Sequence, residues 1–345
     1  MKLTLKLDYI IDTYWCPLKS YSYNMTFNFI MSSRDDGKTT NSLIGAIKNF
    51  NNTGGTFVLV RRYDNETALC KDILDEIIEE KVIFKGDKNG GGKFYVNKFL
   101  IGYLVPVSKQ KKYKGKKFKN VNYLIYDEYT LDRDYYLLRY LPKDVIQFLE
   151  LINTIFRLGQ KYKVFILGNN LDYMNPFFEY FNIPDIEIGK CKYFKEKDLF
   201  IDIYESKPKM KELKEQTPLA KLTNNTSYSD FNMNNNLING KKYKVREKRD
   251  NDKLFLRLLY NEYTISIYNS YSISYYITLK KEIIEDNDTI LILNDDVVHY
   301  DNIKLLKGIK QIKTIKNNAI TNKFIEYDNK KTAMLFNSIL YKYLK

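Results

Sequence analysis

The sequence predicts an α/β fold: a first domain on a mostly parallel sheet, a linker region, and a smaller α+β domain. Three observations predict it. Short, continuous apolar runs, among them "FVLVR", "NYLIY" and "KVFIL", are bounded by turn residues and separated by helix-like stretches. That is the pattern of buried parallel strands joined by crossover helices. After Ser206 the periodicity weakens, through a basic segment and the Asn- and Ser-rich run 223–240. From Lys241 onward short strand-like runs dominate. The expected division is therefore 1–206, a linker at 207–240, and 241–345.

In chain order, residues 1–24 are aromatic-rich and read as a cap or an edge strand. Residues 25–31 form the first core strand, and a helix follows at 40–50. A strand at Thr56–Arg61 precedes a helix over 66–81, with Leu69, Ile73, Leu74, Ile77 and Ile78 on one face. Gly90-Gly91-Gly92 opens a hairpin with arms Phe94–Val96 and Leu100–Val105, turning at Asn97-Lys98. Seven lysines then crowd into residues 109–119, which cannot pack in a core. The strand Val121–Tyr126 ends in Asp127-Glu128. A helix at 143–158, a strand at 163–167 ending in Gly168-Asn169-Asn170, a helical patch at 176–181 and a strand at 199–204 complete the first domain. Residues 208–223 read as one short basic amphipathic helix. In the last domain strands are expected at 241–247, 254–260, 263–268, 271–279 and 289–293, with turns at Asn261-Glu262 and Asn269-Ser270. Helices are expected at 300–307 and 329–344.

The 345 residues carry 56 Lys and Arg against 42 Asp and Glu, a net charge of +14. Residues 207–345 hold +9 of that excess and the first 206 hold +5. Such a balance suits a polyanionic partner; the alternative is a compositional bias toward Lys, Asn, Ile and Tyr. Cys16, Cys70 and Cys191 have no metal-ligand or redox spacing, and no secretory signal precedes them, which points to reduced thiols in a cytosol. The single histidine, His299, excludes a His-rich metal site. No apolar run reaches the roughly 20 residues that cross a bilayer, so a soluble protein without membrane contact is expected.

The chemistry centres on Ser32-Ser33-Arg34-Asp35-Asp36-Gly37-Lys38-Thr39, placed between a strand and a helix. A loop there offers unpaired backbone N–H groups at the positive end of a helix dipole, the setting of a phosphate-binding P-loop. Ser33 to Thr40 would cradle the phosphates of ATP, with Lys38 on the β- and γ-phosphates and Thr39 on Mg²⁺. Ser32 stands where the first glycine is expected, and an ordinary charged turn is the competing reading. Asp127 at the end of an apolar strand would support the metal, and Glu128 would polarise the attacking water. Asn169 at the next strand end would act as a polar sensor. Arg157, closing the helix between those strands, has the position of an arginine finger that reaches a neighbouring subunit. Arg61-Arg62 end the second strand, and Arg34 would contact phosphate or pair with Asp35, Asp36 or Glu128.

Taken together, "FIMSSRDDGKTT", "FVLVRRY", "NYLIYDEY", "LINTIFR", "VFILGNN", "MNPFFEYFNIPD" and "LFLRLLYNEYT" give the chain a resemblance to the DNA-packaging motor ATPases of small tailed phages with protein-primed genomes, the phi29 group. That resemblance implies a P-loop NTPase of the additional-strand, RecA-like class that uses ATP and Mg²⁺. It implies a homo-oligomeric ring of five subunits, docked in the host cytoplasm on the portal, or connector, of an empty procapsid and pumping double-stranded DNA inward. Lys38 and Thr39 match Walker A, Asp127 and Glu128 match Walker B, and Arg157 matches the trans-acting finger. A structural packaging RNA serves some members of the group. The last domain would resemble a vestigial ribonuclease-H-like nuclease that grips DNA or portal without cleaving. Lys111, Lys112, Lys114, Lys116 and Lys117 would face the pore and hold the DNA backbone. Three rival readings remain: another ring NTPase of helicase or secretion type, a basic nucleic-acid-binding virion protein with a degenerate P-loop, and an active terminase nuclease.

Overall fold

The apolar runs are strands buried on both faces, which is why they lack the alternation of half-exposed strands. The computed structural model describes residues 1–63, 70–130, 143–159, 161–169, 175–184, 186–223, 244–260, 263–270, 274–279, 289–292, 304–305, 315, 325–329, 332–333 and 336. The chain divides into two compact units, Met1–Gly240 and Lys241–Lys345.

The first unit runs α1 (Leu18–Tyr23), β1 (Phe27–Met31), α2 (Lys38–Thr53), β2 (Thr56–Arg61), α3 (Cys70–Ile77), β3 (Val82–Gly86), β4 (Gly92–Val96), β5 (Phe99–Pro106), β6 (Val121–Asp127), α4 (Asp144–Phe156), β7 (Lys163–Gly168), α5 (Pro176–Tyr180), β8 (Cys191–Phe194), β9 (Leu199–Ile203), α6 (Pro208–Glu215) and α7 (Pro218–Thr223). Its nine strands lie in the order β3-β4-β5-β2-β6-β7-β1-β9-β8. From β5 to β9 all neighbours are parallel, and the two margins are antiparallel. β7 lies between β1 and β6, the interposed strand of the additional-strand class.

Alternate residues of each strand feed two cores. Val58, Val60, Leu124, Tyr126 and Ile166 meet α4 and α5 on one face. Phe57, Leu59, Ile125, Phe165 and Leu167 meet α2, α3, Leu3 and Trp15 on the other. The sheet is thus covered on both sides, as a parallel sheet requires. The carboxyl ends of β1, β2, β6 and β7 then open along one edge, where ligands of such sheets bind.

Several elements differ from the sequence reading. Residues 1–24 contribute α1 and an isolated bridge between Leu5 and Ile78, not an edge strand. The edges are instead β3 and β8, which are half-polar and lack a long apolar run. The single helix expected at 208–223 breaks into α6 and α7, because Pro218 cannot donate to a preceding turn and starts a new helix. Asn97 and Lys98 turn the β4–β5 hairpin at φ 48° and 70°, the left-handed conformation of a tight hairpin turn.

The second unit holds β10 (Lys244–Val245), β11 (Lys253–Tyr260), β12 (Tyr263–Ser270), β13 (Ser274–Thr278), β14 (Thr289–Ile292), β15 (Lys304–Leu305) and β16 (Ile325–Tyr327). Their order is β10-β16-β13-β12-β11-β14-β15. An antiparallel meander of β11, β12 and β13 is continued by parallel β14 and β15. Asn269 and Ser270, expected in a turn, pair in β12 with Tyr275 and Ser274. Lys304–Leu305, expected in a helix, form strand β15, and β16 was not expected. The run 224–240, the turn Asn261-Glu262 and most of the helix expected at 329–344 lie outside the described residues.

No aspartate interrupts β11. Its buried Arg257 donates to Ser266 Oγ at 2.7 Å. At the end of this sheet Arg246 bonds Glu326 and both oxygens of Asp252, the latter at 2.7 and 3.0 Å. Burial opposes the Asp252 carboxylate, but Arg246 and the Arg249 N–H outweigh it and lower its pKa to about 2. A depressed carboxyl stabilises fully above its ordinary 3.8 and loses that contribution as pH falls through about 2. Urea unfolding of the full chain should therefore show Asp252→Asn less stable than wild type at neutral pH, with the gap closing between about pH 4 and pH 2.

Candidate active site

β1 ends at Met31 and the chain enters the loop Ser32–Asp36. Gly37, at φ 76°, then starts α2. A Cβ on Gly37 would lie 3.0 Å from Tyr14, so both the backbone and the available space require glycine. No acidic side chain occupies the first turn of α2. Its positive end and first N–H groups are left to attract an anion. The left-handed positions of the loop are Asp35 and Gly37, not Ser32, so serine at position 32 needs no special backbone. The Ser32 hydroxyl has a use of its own: it accepts from Lys38 Nζ at 2.8 Å.

Lys38 is buried and also donates to the Ser33 carbonyl at 2.7 Å. Burial, only partly offset by Asp36 and Asp127, pushes its ammonium down to about 8. A cation held in this way is poised to gain from an incoming anion.

Asp36 does not face that anion. It is 1% exposed, and its carboxylate accepts from Ser33 Oγ at 3.0 Å, from Ser206 Oγ at 2.7 Å and from Lys214 Nζ at 3.2 Å. Its carbonyl takes the Trp15 N–H at 2.9 Å. The Asp36 side chain is therefore a brace beneath the loop, and the Ser33 hydroxyl shares in it. Arg34 and Asp35 are exposed at the loop crest, while Thr39 and Thr40 are half-buried at the helix start.

Thr39 Oγ1 donates to Asp127 Oδ1 at 2.9 Å, joining the loop to β6 past the intervening β7. Asp127 Oδ1 also caps the Glu128 N–H at 3.1 Å. Its Oδ2 lies 2.9 Å from Arg61 Nη2, and Arg61 Nη1 lies 2.8 Å from Glu128 Oε2. One guanidinium at the end of β2 thus spans both carboxylates. Burial works against that cation, but Asp127 and Glu128 outweigh it and raise its pKa. Glu128 takes φ 56°, which turns it out of the strand, and its side chain is half exposed.

Arg62 is buried against an equally buried Asp144, Nε to Oδ2 3.0 Å. Its other nitrogens donate to the Glu128 and Tyr129 carbonyls. It fastens the turn after the acidic pair to the start of α4. The sequence singled out both arginines without giving them these roles. The usable signal was a pair of arginines ending one strand when a second strand ends in two acids.

Asn169 ends β7 beside the loop, half-buried, with its N–H on Thr130 Oγ1 at 3.1 Å; Asn170 lies outside the described residues. Arg157 is elsewhere. It closes α4, thirteen residues and about 20 Å along the helix from Asp144. It is exposed there, beside Lys114, Glu150 and Asn153 around an open pocket.

The lysine run is partly ordered by a 3-10 turn at Val107–Tyr113 that buries Gln110 and Tyr113. Lys111, Lys112, Lys114 and Lys117 are exposed. Lys114 pairs with Glu150 at 3.1 Å. Lys116 is drawn back onto Asp87 at 3.2 Å and over the Tyr113 ring at 4.6 Å. It is half-buried there and braces the local fold. Ser206 and Lys214 were missed, because only the fold carries the segment after β9 under the loop.

The family model described as podovirus DNA encapsidation protein (Gp16) matches residues 11–344. The DNA packaging protein of Bacillus phage phi29 is 26% identical over 260 residues, covering 74% of this chain and 75% of the relative. That of Bacillus phage PZA is 28% identical over 261 residues, covering 74% and 75%. A structure of the bacteriophage phi29 viral genome packaging motor assembly contains a chain of similar fold, with a TM-score of 0.70 and 21% identity, covering 96% of this chain and 98% of that one.

Breaking a buried ion pair leaves an uncompensated charge in the interior. Arg62→Met should therefore lower unfolding stability by about 3–5 kcal/mol, read from the midpoint of a urea titration.

Proposed function

The chain belongs to the podovirus DNA encapsidation protein family, and from that premise we propose that its first unit is the ATPase of a phage DNA-packaging motor. The observation that carries this is the Thr39–Asp127 hydrogen bond. It unites a phosphate loop and an acidic strand end, with Lys38 on one side and Glu128 on the other.

In this reading the triphosphate lies against the N-terminus of α2, where Lys38 and the loop N–H groups from Arg34 to Thr40 neutralise its β- and γ-phosphates. The Thr39 hydroxyl and the Asp127 carboxylate are hard oxygen donors side by side. They suit Mg²⁺, which takes one or two protein oxygens and keeps phosphate and water for the rest. When bound, the ion neutralises charge developing on the phosphate oxygens. Glu128 accepts the proton of the attacking water, and its half-exposed position leaves room for that water beside the γ-phosphate. Arg61 keeps the two carboxylates apart in role by pairing with one oxygen of each. Asn169 touches the lytic water or the γ-phosphate from the end of β7.

Arg157 is too far along α4 to serve its own site, which supports a role in the site of a neighbour in a homo-oligomeric ring, five-membered by analogy with the group. Double-stranded DNA and the portal are the partners of that assembly, and a structural packaging RNA is a further partner in some members of the group. Among the described residues no helix is long and apolar enough to cross a membrane. Lys111, Lys112, Lys114 and Lys117 form the DNA-gripping surface, with Lys116 supporting it. In the second unit β11 carries a buried Arg257 and no carboxylate, which supports a nuclease-like sheet that binds without cutting.

Glu128→Gln should lower kcat for ATP by about 10²–10⁴-fold while nucleotide binding persists. Arg157→Ala should be inactive alone. Mixing the two variants should restore part of the DNA-stimulated ATPase, since mixed rings rebuild some whole sites; mixtures that stay inactive would remove Arg157 from the interface role. Charge reversal of Lys111, Lys112 and Lys117 should weaken DNA binding and flatten its salt dependence, measured by titration at several salt concentrations.

A further inference from the structure

Beneath the phosphate loop lies a polar cluster that the hydrolysis chemistry does not use. It joins Ser33 and Asp36 of the loop to Ser206, just after β9, and to Lys214, on the last full turn of α6. The Lys214 side chain is 10% exposed and that of Asp36 is 0%. Lys214 Nζ donates to Ser33 Oγ at 2.8 Å, to the Arg34 carbonyl at 2.5 Å and to Asp36 Oδ1 at 3.2 Å. Ser206 Oγ closes the cluster against Ser33 Oγ at 2.7 Å.

The contact to the Arg34 carbonyl has a geometric consequence. A trans peptide is planar, with its C=O and N–H opposed. Holding the Arg34 oxygen toward α6 therefore aims the Asp35 N–H away from α6. An anion-binding loop needs its N–H groups turned outward and its carbonyls turned back. Lys214 supplies the back-side charge that makes this orientation favourable, and it neutralises the carboxylate that would otherwise repel a phosphate.

We propose that Lys214 is a positioning residue for the phosphate loop, and that through it occupancy of the loop is felt by α6. The inference rests on the reading of the loop as a nucleotide site and adds a residue that belongs neither to the loop nor to the acidic strand end. α6 and α7 are the last described elements of the first unit before the chain continues into the second. Lys214 touches no substrate in this scheme; it acts through the conformation of Ser33–Asp36.

The test uses the full-length chain and ATPγS. Affinity is measured by titration, and hydrogen–deuterium exchange is followed over residues 208–215. Wild type should bind, with exchange in α6 slowed several-fold on binding. Lys214→Met should weaken ATPγS binding by at least tenfold and abolish the α6 response even at saturating nucleotide. Lys214→Arg should restore much of both. Because Lys214→Met leaves Asp36 buried and unpaired, Asp36→Asn with Lys214→Met serves as a second variant whose fold carries no buried charge there; it should show the same two losses. A double variant that binds as wild type does, with α6 still responding, overturns the proposal. Wild type that fails to bind ATPγS overturns the nucleotide reading itself, and this inference with it.

Discussion

The first unit depends on the Asp127 side chain being held in a buried position at the end of β6. Three elements reach it. The loop after β1 comes through Thr39, β2 comes through Arg61, and the following turn comes through the N–H of Glu128. A carboxylate with 3% exposure is tolerable only because every approach to it brings a donor or a cation. The same constraint fixes the strand order around it. β2 must adjoin β6 for Arg61 to span both acids, and only one strand can separate β1 from β6 if Thr39 is to reach across.

Around this node the protein takes further charges out of water and pairs them. Arg62 and Asp144 are fully buried together. Asp36 and Lys214 form a second pair beneath the loop. Lys38 is the exception: it is buried among hydroxyl and carbonyl oxygens, with its ammonium pushed down. A buried pair contributes little net stability against an apolar substitute, but it fixes geometry, since either partner alone is costly. That cation, with no carboxylate in direct contact, is the place where binding of an anion yields the most. Rigidity and receptivity therefore lie within a few residues of each other, in the same loop.

Much of the fold was legible because parallel strands covered on both faces must be continuous apolar runs. Thr56–Arg61 and Val121–Asp127 announce themselves in that way. The edge strands β3 and β8 did not, because half-exposed edges carry mixed sequences that resemble loops. Lys304–Leu305 looked helical since two or three apolar residues fit either period. Among the site residues, Gly37, Lys38, Thr39, Asp127 and Glu128 were readable from local spacing. The true partners of Asp36 were not, as they lie about 170 and 178 residues away in the chain.

Which groups are available for chemistry is written in the chain's local order: a lysine and a threonine behind a glycine at a helix start, and two acids at a strand end. Local covalent order and hydrophobic period suffice for that. Tertiary structure alone decided where each charge would find its counter-charge. It turned Asp36 inward onto Ser206 and Lys214, laid Arg61 across both acids, and left Arg157 at the far end of α4. Those outcomes depend on which strands and helices become neighbours, and long-range contacts leave no periodic trace in a single chain.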